Sequence, residues 1–228
     1  MTQTEIVVPP AELPKPRHLF VGVRASMATI SALGATVEKL ARSAKDLRWV
    51  SPTTYHVTLK YLGWVQPEIT PALVDAIAAA TRGVAPFAVR VRGLGAFPSV
   101  AAAKVLYAGV EPSPALADLA ARIERAMVDL GFPAETRPYT PHITIARTET
   151  RPLESLVLPM SEQMFSESKV EVIALIETRT NSSGSDYSDL RKIALGTPDL
   201  APKSTAERQT GPLDLDAQET DDGWPRGH

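Results

Sequence analysis

The sequence contains no cysteine and only four histidines among its 228 residues. Without cysteine the chain can form no disulfide bond, no thiolate metal site and no cysteine nucleophile. No apolar run approaches the roughly 20 residues that a membrane-spanning helix needs. The proline-rich N-terminus also lacks the basic start and apolar segment of a secretory signal. Hydrophobic residues make up 44% of the chain, which is ordinary for a globular protein. We therefore expect a cytoplasmic protein that does not contact a membrane.

Charge is unevenly distributed along the chain. Residues 197–228 carry seven acidic side chains against three basic ones, so the part before them is slightly basic although the whole chain has a formal net charge of −2. This segment has few large apolar residues, and we expect it to be a disordered acidic tail. We expect residues 1–16 to be a flexible extension, which leaves 17–196 as one domain. A slightly basic domain is compatible with a nucleic-acid substrate but does not require one.

The most distinctive pattern is a short phrase that occurs twice, His-Val-Thr-Leu at 56–59 and His-Ile-Thr-Ile at 142–145. On a β-strand, alternate side chains point to opposite faces. In each phrase the histidine and the threonine would share one face, and the two apolar residues would share the other. Each phrase therefore predicts a strand with an imidazole and a hydroxyl on a polar face, backed by an apolar face.

The order of the predicted elements indicates an α+β fold with mainly antiparallel sheets. Helical periodicity is found at 25–46, 70–82 and 114–130, and strands do not alternate regularly with these helices. The two phrases lie 86 residues apart and a long helix precedes each one. This spacing predicts two related lobes that face each other across a cleft, each lobe with its own upstream helix. Strands are predicted at 17–24, 49–50, 55–62, 87–91, around Phe97, and at 105–110, 142–147, 170–180 and 190–195, with a polar loop at 181–186.

Two histidines on facing strands suit acid–base cleavage of a phosphodiester. An unperturbed imidazole has a pKa of about 6.5, so near neutral pH one histidine can be neutral while the other is protonated. One would activate the nucleophile and the other would protonate the leaving oxygen, and the residues alone leave open which does which. The threonine hydroxyls can donate to the non-bridging phosphate oxygens. Arg147 and Arg179 are candidates for binding the phosphate, and Phe20 is a candidate for stacking on a substrate base.

The same histidines could instead be metal ligands. A zinc site usually needs three or four protein ligands at local spacings such as His-Glu-x-x-His. No such set appears, and neither phrase contains Asp or Glu. The chain also shows no Gly-rich phosphate loop. We therefore expect neither a metal nor another cofactor.

Longer segments around the two phrases carry a family resemblance. They are LFVGV at 19–23, HVTLKYLGWV at 56–65, GAFPSVAAAKVLYAGV at 95–110, RPYTPHITIAR at 137–147 and LIETR at 175–179. On these segments the chain resembles the 2H phosphoesterase superfamily, in particular the bacterial RNA 2′,3′-cyclic phosphodiesterases, also called 2′-5′ RNA ligase-like proteins. The resemblance extends over residues 17–196.

The resemblance implies a bilobal α+β fold in which the two phrases face each other in a central cleft. It implies hydrolysis of RNA ends that carry a 2′,3′-cyclic phosphate to a 2′-phosphomonoester, and a reversible, ATP-independent 2′-5′ ligation. Carried over to this sequence, His56 would be the proton donor and His142 the proton acceptor. Thr58, Thr144 and Arg147 would bind the phosphate.

Two other functions fit the same residues. Another branch of the superfamily acts on small cyclic nucleotides, and a non-catalytic RNA-binding module could use the same cleft. Comparing turnover of an RNA oligonucleotide with that of a mononucleotide distinguishes an RNA enzyme from the small-nucleotide branch. Measuring activity after replacement of the histidines distinguishes an enzyme from a non-catalytic module. Nothing in the sequence requires more than a monomer.

Overall fold

A computed structural model describes residues 14–181 and 184–196. The predicted acidic tail and most of the predicted N-terminal extension lie outside these residues. Within the described ranges, no helix is long and apolar enough to cross a membrane. The α-helices are α1 (Met27–Ser43), α2 (Thr70–Ala80), α3 (Pro114–Asp129) and α4 (Glu154–Val157), and 3₁₀ turns lie at Pro52–Thr54, Pro67–Ile69 and Leu158–Met160. The strands are β1 (Arg17–Arg24), β2 (Arg48–Trp49), β3 (His56–Val65), β4 (Phe87–Phe97), β5 (Ala103–Val110), β6 (His142–Arg151), β7 (Met164–Val170), β8 (Val172–Asn181) and β9 (Gly184–Ala194).

The strands form two antiparallel sheets, with the order β3-β1-β8-β9 in the first and β2-β6-β5-β4-β7 in the second. Each His-x-Thr phrase begins a strand, since His56 starts β3 in the first sheet and His142 starts β6 in the second. Each sheet takes strands from both halves of the chain, because β8 pairs with β1 and β2 pairs with β6. The α+β class with antiparallel sheets that the sequence predicts is confirmed.

The two sheets and their helices share one apolar core. On β1, Leu19 and Val21 are fully buried. The residues that follow the two histidines, Val57 and Ile143, belong to the same buried cluster. Burying a side chain of this size contributes about 1.5–3 kcal/mol to stability. This burial leaves the histidine-bearing faces of β3 and β6 outside the core.

The two long helices begin at serine caps. Ser26 Oγ accepts a hydrogen bond from the backbone N–H of Thr29 at 3.2 Å, and Ser113 Oγ accepts one from Leu116 at 3.5 Å. Each serine satisfies an N–H group that has no partner within its helix. Gly131, which has a φ of 90°, follows the end of α3, where only glycine adopts this conformation without strain. These caps set where α1 and α3 start and where α3 stops.

The helices cross between the lobes, which corrects the prediction that each lobe keeps its own upstream helix. α1 follows β1 of the first sheet but packs against β7 of the second, where the hydroxyls of Thr29 and Ser166 lie 2.8 Å apart. α3 follows β5 of the second sheet but packs against β3 of the first. The helices therefore fasten the two sheets to each other, and neither half of the chain forms a lobe alone.

Three strand predictions need correction. β4 runs without a break over Phe87–Phe97, because a register shift near Gly93, which has a φ of 72°, lets the strand continue. β7 has no counterpart among the predicted strands, because this edge strand is largely polar and lacks the apolar alternation that marks half-buried strands. The polar loop predicted at 181–186 is too long, because β9 already begins at Gly184.

A buried lysine ties β3 to the loop that leads into the second motif. Lys60 is only 6% exposed, and its Nζ donates to Glu124 Oε1 at 2.8 Å and to the carbonyl oxygen of Pro133 at 2.7 Å. The same Glu124 oxygen accepts a hydrogen bond from the backbone N–H of Glu135 at 2.8 Å. A buried charge is tolerated when it is paired and hydrogen-bonded. This network therefore fixes the start of the loop against α3 and the first motif strand.

We predict that Lys60→Met lowers the free energy of unfolding by about 1–3 kcal/mol, because the Glu124 carboxylate and the Pro133 carbonyl lose their buried donor. Urea denaturation followed by circular dichroism measures this loss. Arg42→Met is the matched control, since it removes a pair with Glu38 in which both side chains are about three-quarters exposed. Such a pair contributes only about 0.3–0.5 kcal/mol. Equal losses in the two variants would contradict the role given to Lys60.

Candidate active site

The two motif histidines are held by the same kind of backbone hydrogen bond. Nδ1 of His56 lies 2.7 Å from the carbonyl oxygen of Thr54, and Nδ1 of His142 lies 2.8 Å from that of Thr140. A carbonyl oxygen can only accept, so Nδ1 carries the proton in each ring and the neutral tautomer has its lone pair on Nε2. Both rings therefore offer Nε2 as the atom that accepts a proton or, once protonated, donates one.

Both motif strands break their alternation at the same point. From the histidine onward, six residues of each strand are in turn half-buried, buried, half-buried, buried, buried and exposed. The two consecutive buried residues mark a bulge, and the strand pairing shifts register there. The bulge returns the sixth residue to the cleft side of the sheet. The cleft side of β3 therefore carries His56, Thr58 and Tyr61, and that of β6 carries His142, Thr144 and Arg147.

Aromatic rings flank the first histidine. The centroid of the His56 ring lies 4.5 Å from that of Phe20 and 5.2 Å from that of Tyr187. Phe20 is 3% exposed and packs with Ala174 and Ile176 in a small apolar cluster apart from the main core. The structure thus brings Phe20, one of the predicted site residues, to His56. Tyr187 is not among the predicted residues, because β9 reaches the cleft only through long-range sheet pairing.

The second histidine has equivalent aromatic neighbours. The His142 ring centroid lies 5.0 Å from that of Phe97 and 5.4 Å from that of Tyr107, and these two rings stack on each other at 4.4 Å. A Cβ atom at Gly95 would lie 2.4 Å from the Tyr107 side chain, so a glycine is needed for this ring to lie where it does. Neither ring is among the predicted site residues, although both fall in the 95–110 segment that carries the family resemblance.

The two motifs meet across the cleft. The hydroxyl of Tyr139, which precedes the second motif, donates to the backbone carbonyl of Thr58 in the first motif at 3.2 Å. The positive charge of protonated His142 lowers the pKa of His56, which is the effect of two like charges held close together. The structure therefore brings His56 and His142, with their threonines, into one site.

Burial lowers the pKa of both histidines below the ordinary value of 6.5. Desolvation is the largest cause in each case, and the backbone hydrogen bond to Nδ1 acts in the opposite direction. The Arg147 guanidinium further lowers the pKa of both rings, and Arg24 further lowers that of His56.

The structure separates the two predicted arginines. Arg147 lies on the cleft side of β6, close enough to influence the pKa of both histidines. Arg179 instead donates through Nη2 to Glu177 Oε2 at 3.0 Å. Strand alternation places Glu177 and Arg179 on the face of β8 opposite to Ile176, which packs with Phe20. The structure therefore does not bring Arg179 to the two histidines as it brings Arg147, and a contact of Arg179 with phosphate stays a prediction.

The first sheet also brings Arg24 to the site. The sequence does not predict a role for this arginine. It is the cross-strand partner of His56. Its Nε donates to Asp189 Oδ1 at 2.8 Å and its Nη2 to the carbonyl oxygen of Tyr187 at 3.1 Å. Its guanidinium carbon also lies 6.0 Å from the Tyr187 ring centroid, within cation–π distance. Both partners are more than 160 residues away in sequence, so no local pattern marks Arg24.

The surroundings of the histidines offer hydroxyls, rings and guanidinium groups. Among the residues that the structure describes, no group of three or more His, Cys, Asp or Glu is placed to hold a metal ion. Asp189, which approaches from β9, is bonded to Arg24 and lies 3.5 Å from Lys192 Nζ. Metal-independence stays a prediction at this point.

A cavity of about 310 Å³ lies behind the motif strands. Val57 and Ile143 line it, and these are the apolar residues that point away from the cleft. Arg24 and Asp189 also line it, whereas the two histidines do not. The two motif histidines therefore lie on the cleft face of the sheets and not in this cavity.

Two His-x-Thr strands, one from each of two antiparallel sheets and meeting in one cleft, define the class of 2H phosphoesterases. Within this class the chain belongs to the 2′-5′ RNA ligase superfamily, whose sequence model matches residues 30–181, more than half of the chain. The matched range contains both motif histidines. The family predicted from the sequence is confirmed.

Curated relatives agree with this membership. A Geobacillus stearothermophilus protein named RNA 2′,3′-cyclic phosphodiesterase is 31% identical over 190 residues, covering 81% of this chain and 60% of its own length. An Aquifex aeolicus protein of the same name is 30% identical over 154 residues, covering 65% of this chain and 82% of its own. The chain therefore spans less than two thirds of the Geobacillus relative but most of the Aquifex one.

Solved structures show the same fold. A crystal structure of a Thermus thermophilus protein superposes with a TM-score of 0.68 at 26% identity, covering 79% of this chain and 98% of that one. Escherichia coli LigT superposes with a TM-score of 0.66 at 20% identity, covering 80% of this chain and 99% of its own. The bilobal arrangement implied by the family resemblance is the arrangement found.

We predict that Gly95→Ala raises the pKa of His142 toward 6.5. The added Cβ would approach the Tyr107 side chain to 2.4 Å and displace it, which lets water reach the imidazole and reduces the desolvation that lowers its pKa. NMR titration of the imidazole protons measures the shift. Gly34→Ala in α1 is the matched control, since its Cβ would meet only Pro52 at 3.7 Å. Unchanged titration of His142 in Gly95→Ala would contradict the role of the glycine.

Proposed function

We propose that this protein hydrolyses RNA ends bearing a 2′,3′-cyclic phosphate to 2′-phosphomonoesters, without a metal, through acid–base catalysis by two histidines. The observation that carries the proposal is the matched pair His56 and His142. Each has Nδ1 bonded to a backbone carbonyl, and the charge on one lowers the pKa of the other. The substrate class is taken from the relatives named RNA 2′,3′-cyclic phosphodiesterase.

In the proposed reaction, water attacks phosphorus from the side opposite to the ribose 3′ oxygen. Nε2 of neutral His142 takes a proton from the water as the new P–O bond forms. Nε2–H of protonated His56 gives its proton to the 3′ oxygen as the bond from phosphorus to that oxygen breaks, and the 2′-phosphate remains. Solvent then removes the proton from His142 and returns one to His56. The reaction consumes one water molecule and needs no nucleotide cofactor or oxidant.

Threonine and arginine side chains are proposed to hold the phosphate during this step. The hydroxyls of Thr58 and Thr144 lie on the same strand faces as the histidines and can donate to the non-bridging oxygens. Arg147 supplies a positive charge that lies near both imidazoles. A guanidinium can bind two phosphate oxygens at once, which fixes the orientation of the group as well as its charge.

The same step accounts for ligation. If the 5′-hydroxyl of a second RNA takes the place of water, attack on phosphorus and departure of the 3′ oxygen leave a 2′,5′-phosphodiester. His142 and His56 keep their roles, because the attacking group is again a hydroxyl that must lose its proton. The cyclic phosphate is itself the activated group, so ATP is not needed.

The proposed roles require His56 to be protonated while His142 is neutral, although burial lowers the pKa of both rings in the free protein. A phosphate anion favours the protonated form of the imidazole that it contacts. A substrate that binds closer to His56 therefore raises the fraction of protein in the productive protonation state.

We expect His56→Ala and His142→Ala each to lower kcat about 10²–10⁴-fold, because each removes one general acid or base. The substrate is a short RNA ending in a 2′,3′-cyclic phosphate, and end-group analysis of the product should show a 2′-phosphate. The wild-type rate should not change when a chelator is added. Unfolding curves of both variants check that the fold is kept. Activity that survives either substitution, or that chelation abolishes, would contradict the mechanism.

The assignment of acid and base is tested with a better leaving group. A phosphodiester that releases nitrophenolate needs no proton donor, so His56→Ala should recover most of its lost rate on this substrate. His142→Ala should stay as impaired as before, because the attacking water still needs a base. If His142→Ala recovered its rate and His56→Ala did not, His142 would be the acid and His56 the base.

The lowered pKa values place the optimum of kcat/KM below pH 6.5. The base His142 is active only above its pKa and the acid His56 only below its pKa, and burial holds both values below 6.5 in the free protein. Since kcat/KM reports the free enzyme, we expect a bell-shaped profile with its maximum below 6.5. Arg147→Gln should move the maximum to higher pH, because it removes a charge that lowers both pKa values. A maximum above pH 7 in the wild type would contradict this prediction.

A further inference from the structure

We propose that a row of aromatic side chains leading away from His56 is a stacking surface for the RNA nucleotides upstream of the cyclic phosphate. This row, called here the aromatic row, begins at Phe20, which is 3% exposed and packs beside His56, and continues to Tyr61, His18 and Trp64, whose rings supply the stacking surface. The inference rests on the proposed function, because the occupant is the RNA whose end lies in the cleft. It adds a binding site for single-stranded RNA outside the catalytic pair.

The aromatic row runs outward from His56 along the paired strands β1 and β3. The His56 ring centroid lies 4.5 Å from that of Phe20, and Phe20 is the cross-strand partner of Tyr61. Tyr61 and Trp64 each pack edge-on against His18, with ring centroids 5.1 Å apart in both pairs. Cross-strand partners lie on the same face of a sheet. All members of the row therefore share the cleft face of the first sheet.

The outer end of the row is open to solvent. Tyr61 is 58% exposed and Trp64 is 74% exposed, whereas aromatic side chains of this size are usually largely buried. The same strand buries Leu62 and Val65, so the exposure does not come from a loose strand end. Contacts with His18, including one between its Nε2 and the Tyr61 hydroxyl, hold the rings in place.

The distance from His56 to the outer end of the row suits several nucleotides. Arg24, the partner of His56, and His18, the partner of Trp64, are six residues apart on β1. At about 3.3 Å per residue, this is roughly 20 Å. Successive nucleotides of a stacked strand are about 3.4 Å apart. The row therefore extends well beyond the terminal nucleotide that carries the cyclic phosphate.

Single-stranded RNA is the occupant that this chemistry favours. Aromatic faces stack on any base, which makes such surfaces tolerant of sequence. The row contains no acidic side chain, so none of its members repels the phosphates of the strand. Because the cyclic phosphate closes the 3′ end, only nucleotides on its 5′ side can extend along the row. A cyclic mononucleotide would reach only the inner end, at Phe20.

Trp64→Ala in the full chain tests the proposal. For each variant, kcat/KM is measured on an oligoribonucleotide ending in a 2′,3′-cyclic phosphate and on the corresponding mononucleotide. We expect the ratio of the two values to fall about five-fold or more, the effect of losing one base–aromatic stack, through a higher KM for the oligonucleotide. Trp64→Phe should keep most of the ratio, since it keeps a ring. An unchanged ratio in Trp64→Ala would overturn the proposal.

Two controls sharpen this comparison. Leu158→Ala removes another exposed apolar side chain, 63% exposed in the 3₁₀ turn Leu158–Met160, and should leave the ratio unchanged. An abasic residue placed at successive upstream positions locates the stacked base. Where an abasic residue lowers kcat/KM for the wild type, the same abasic residue should cause no further loss in Trp64→Ala. Additive losses at every position, or an equal fall in Leu158→Ala, would overturn the proposal.

Direct binding separates the stacking surface from the proposed hydrolysis. Fluorescence anisotropy with a labelled oligoribonucleotide that lacks the cyclic phosphate reports affinity without turnover, and Trp64→Ala should weaken binding about five-fold or more. If the wild type hydrolyses neither substrate but shows this difference, the proposed function fails and the stacking surface stands. If Trp64→Ala changes the oligomeric state in sedimentation but not the RNA affinity, the row is an interface between copies and the proposal is overturned.

Discussion

A one-residue bulge after each His-x-Thr phrase decides which side chains meet in the cleft. On a regular strand, the residue three positions after the threonine would point away from it, toward the core. The bulge inserts one residue, so Tyr61 and Arg147 reach the cleft while Lys60 and Ala146 turn inward. Lys60 then needs buried partners, and it finds them in Glu124 and in the loop that leads to the second motif. The position of Arg147 in the cleft, the link between the motifs and the aromatic row all depend on this irregularity.

The chain path couples the two sides of the cleft. α1 leaves the first sheet and packs on the second, α3 leaves the second sheet and packs on the first, and each sheet contains strands from both halves of the chain. Opening the cleft would therefore disturb a shared core and would also break the hydrogen bond from Tyr139 to the Thr58 carbonyl. Acid–base catalysis by two groups on opposite sides of a phosphate needs a fixed separation between them. A fold that interleaves its halves suits the fixed separation that the proposed mechanism requires.

Local patterns were enough to predict the fold class, the two motif strands and the positions of their histidines, because a period of two places His and Thr on one face whatever the neighbours are. Features that depend on register were not predictable in this way. Arg24 and Tyr187 reach His56 through partners far away in sequence, and Tyr107 reaches the second histidine across β5 and β6. The polar edge strand β7 carries no apolar alternation that could have marked it.

In the proposed mechanism, two nearly identical phrases perform opposite proton transfers, so their surroundings have to differ. The difference appears at the sixth residue, which is a ring in the first motif (Tyr61) and a guanidinium in the second (Arg147). If the RNA lies along the aromatic row, its terminal ribose is on the side of the first sheet. The leaving 3′ oxygen belongs to that ribose, and in-line displacement brings the attacking water from the opposite side of phosphorus. His56 then faces the leaving oxygen as the acid and His142 faces the water as the base. The asymmetry of substrate binding thus assigns the two roles that the symmetry of the motifs leaves open.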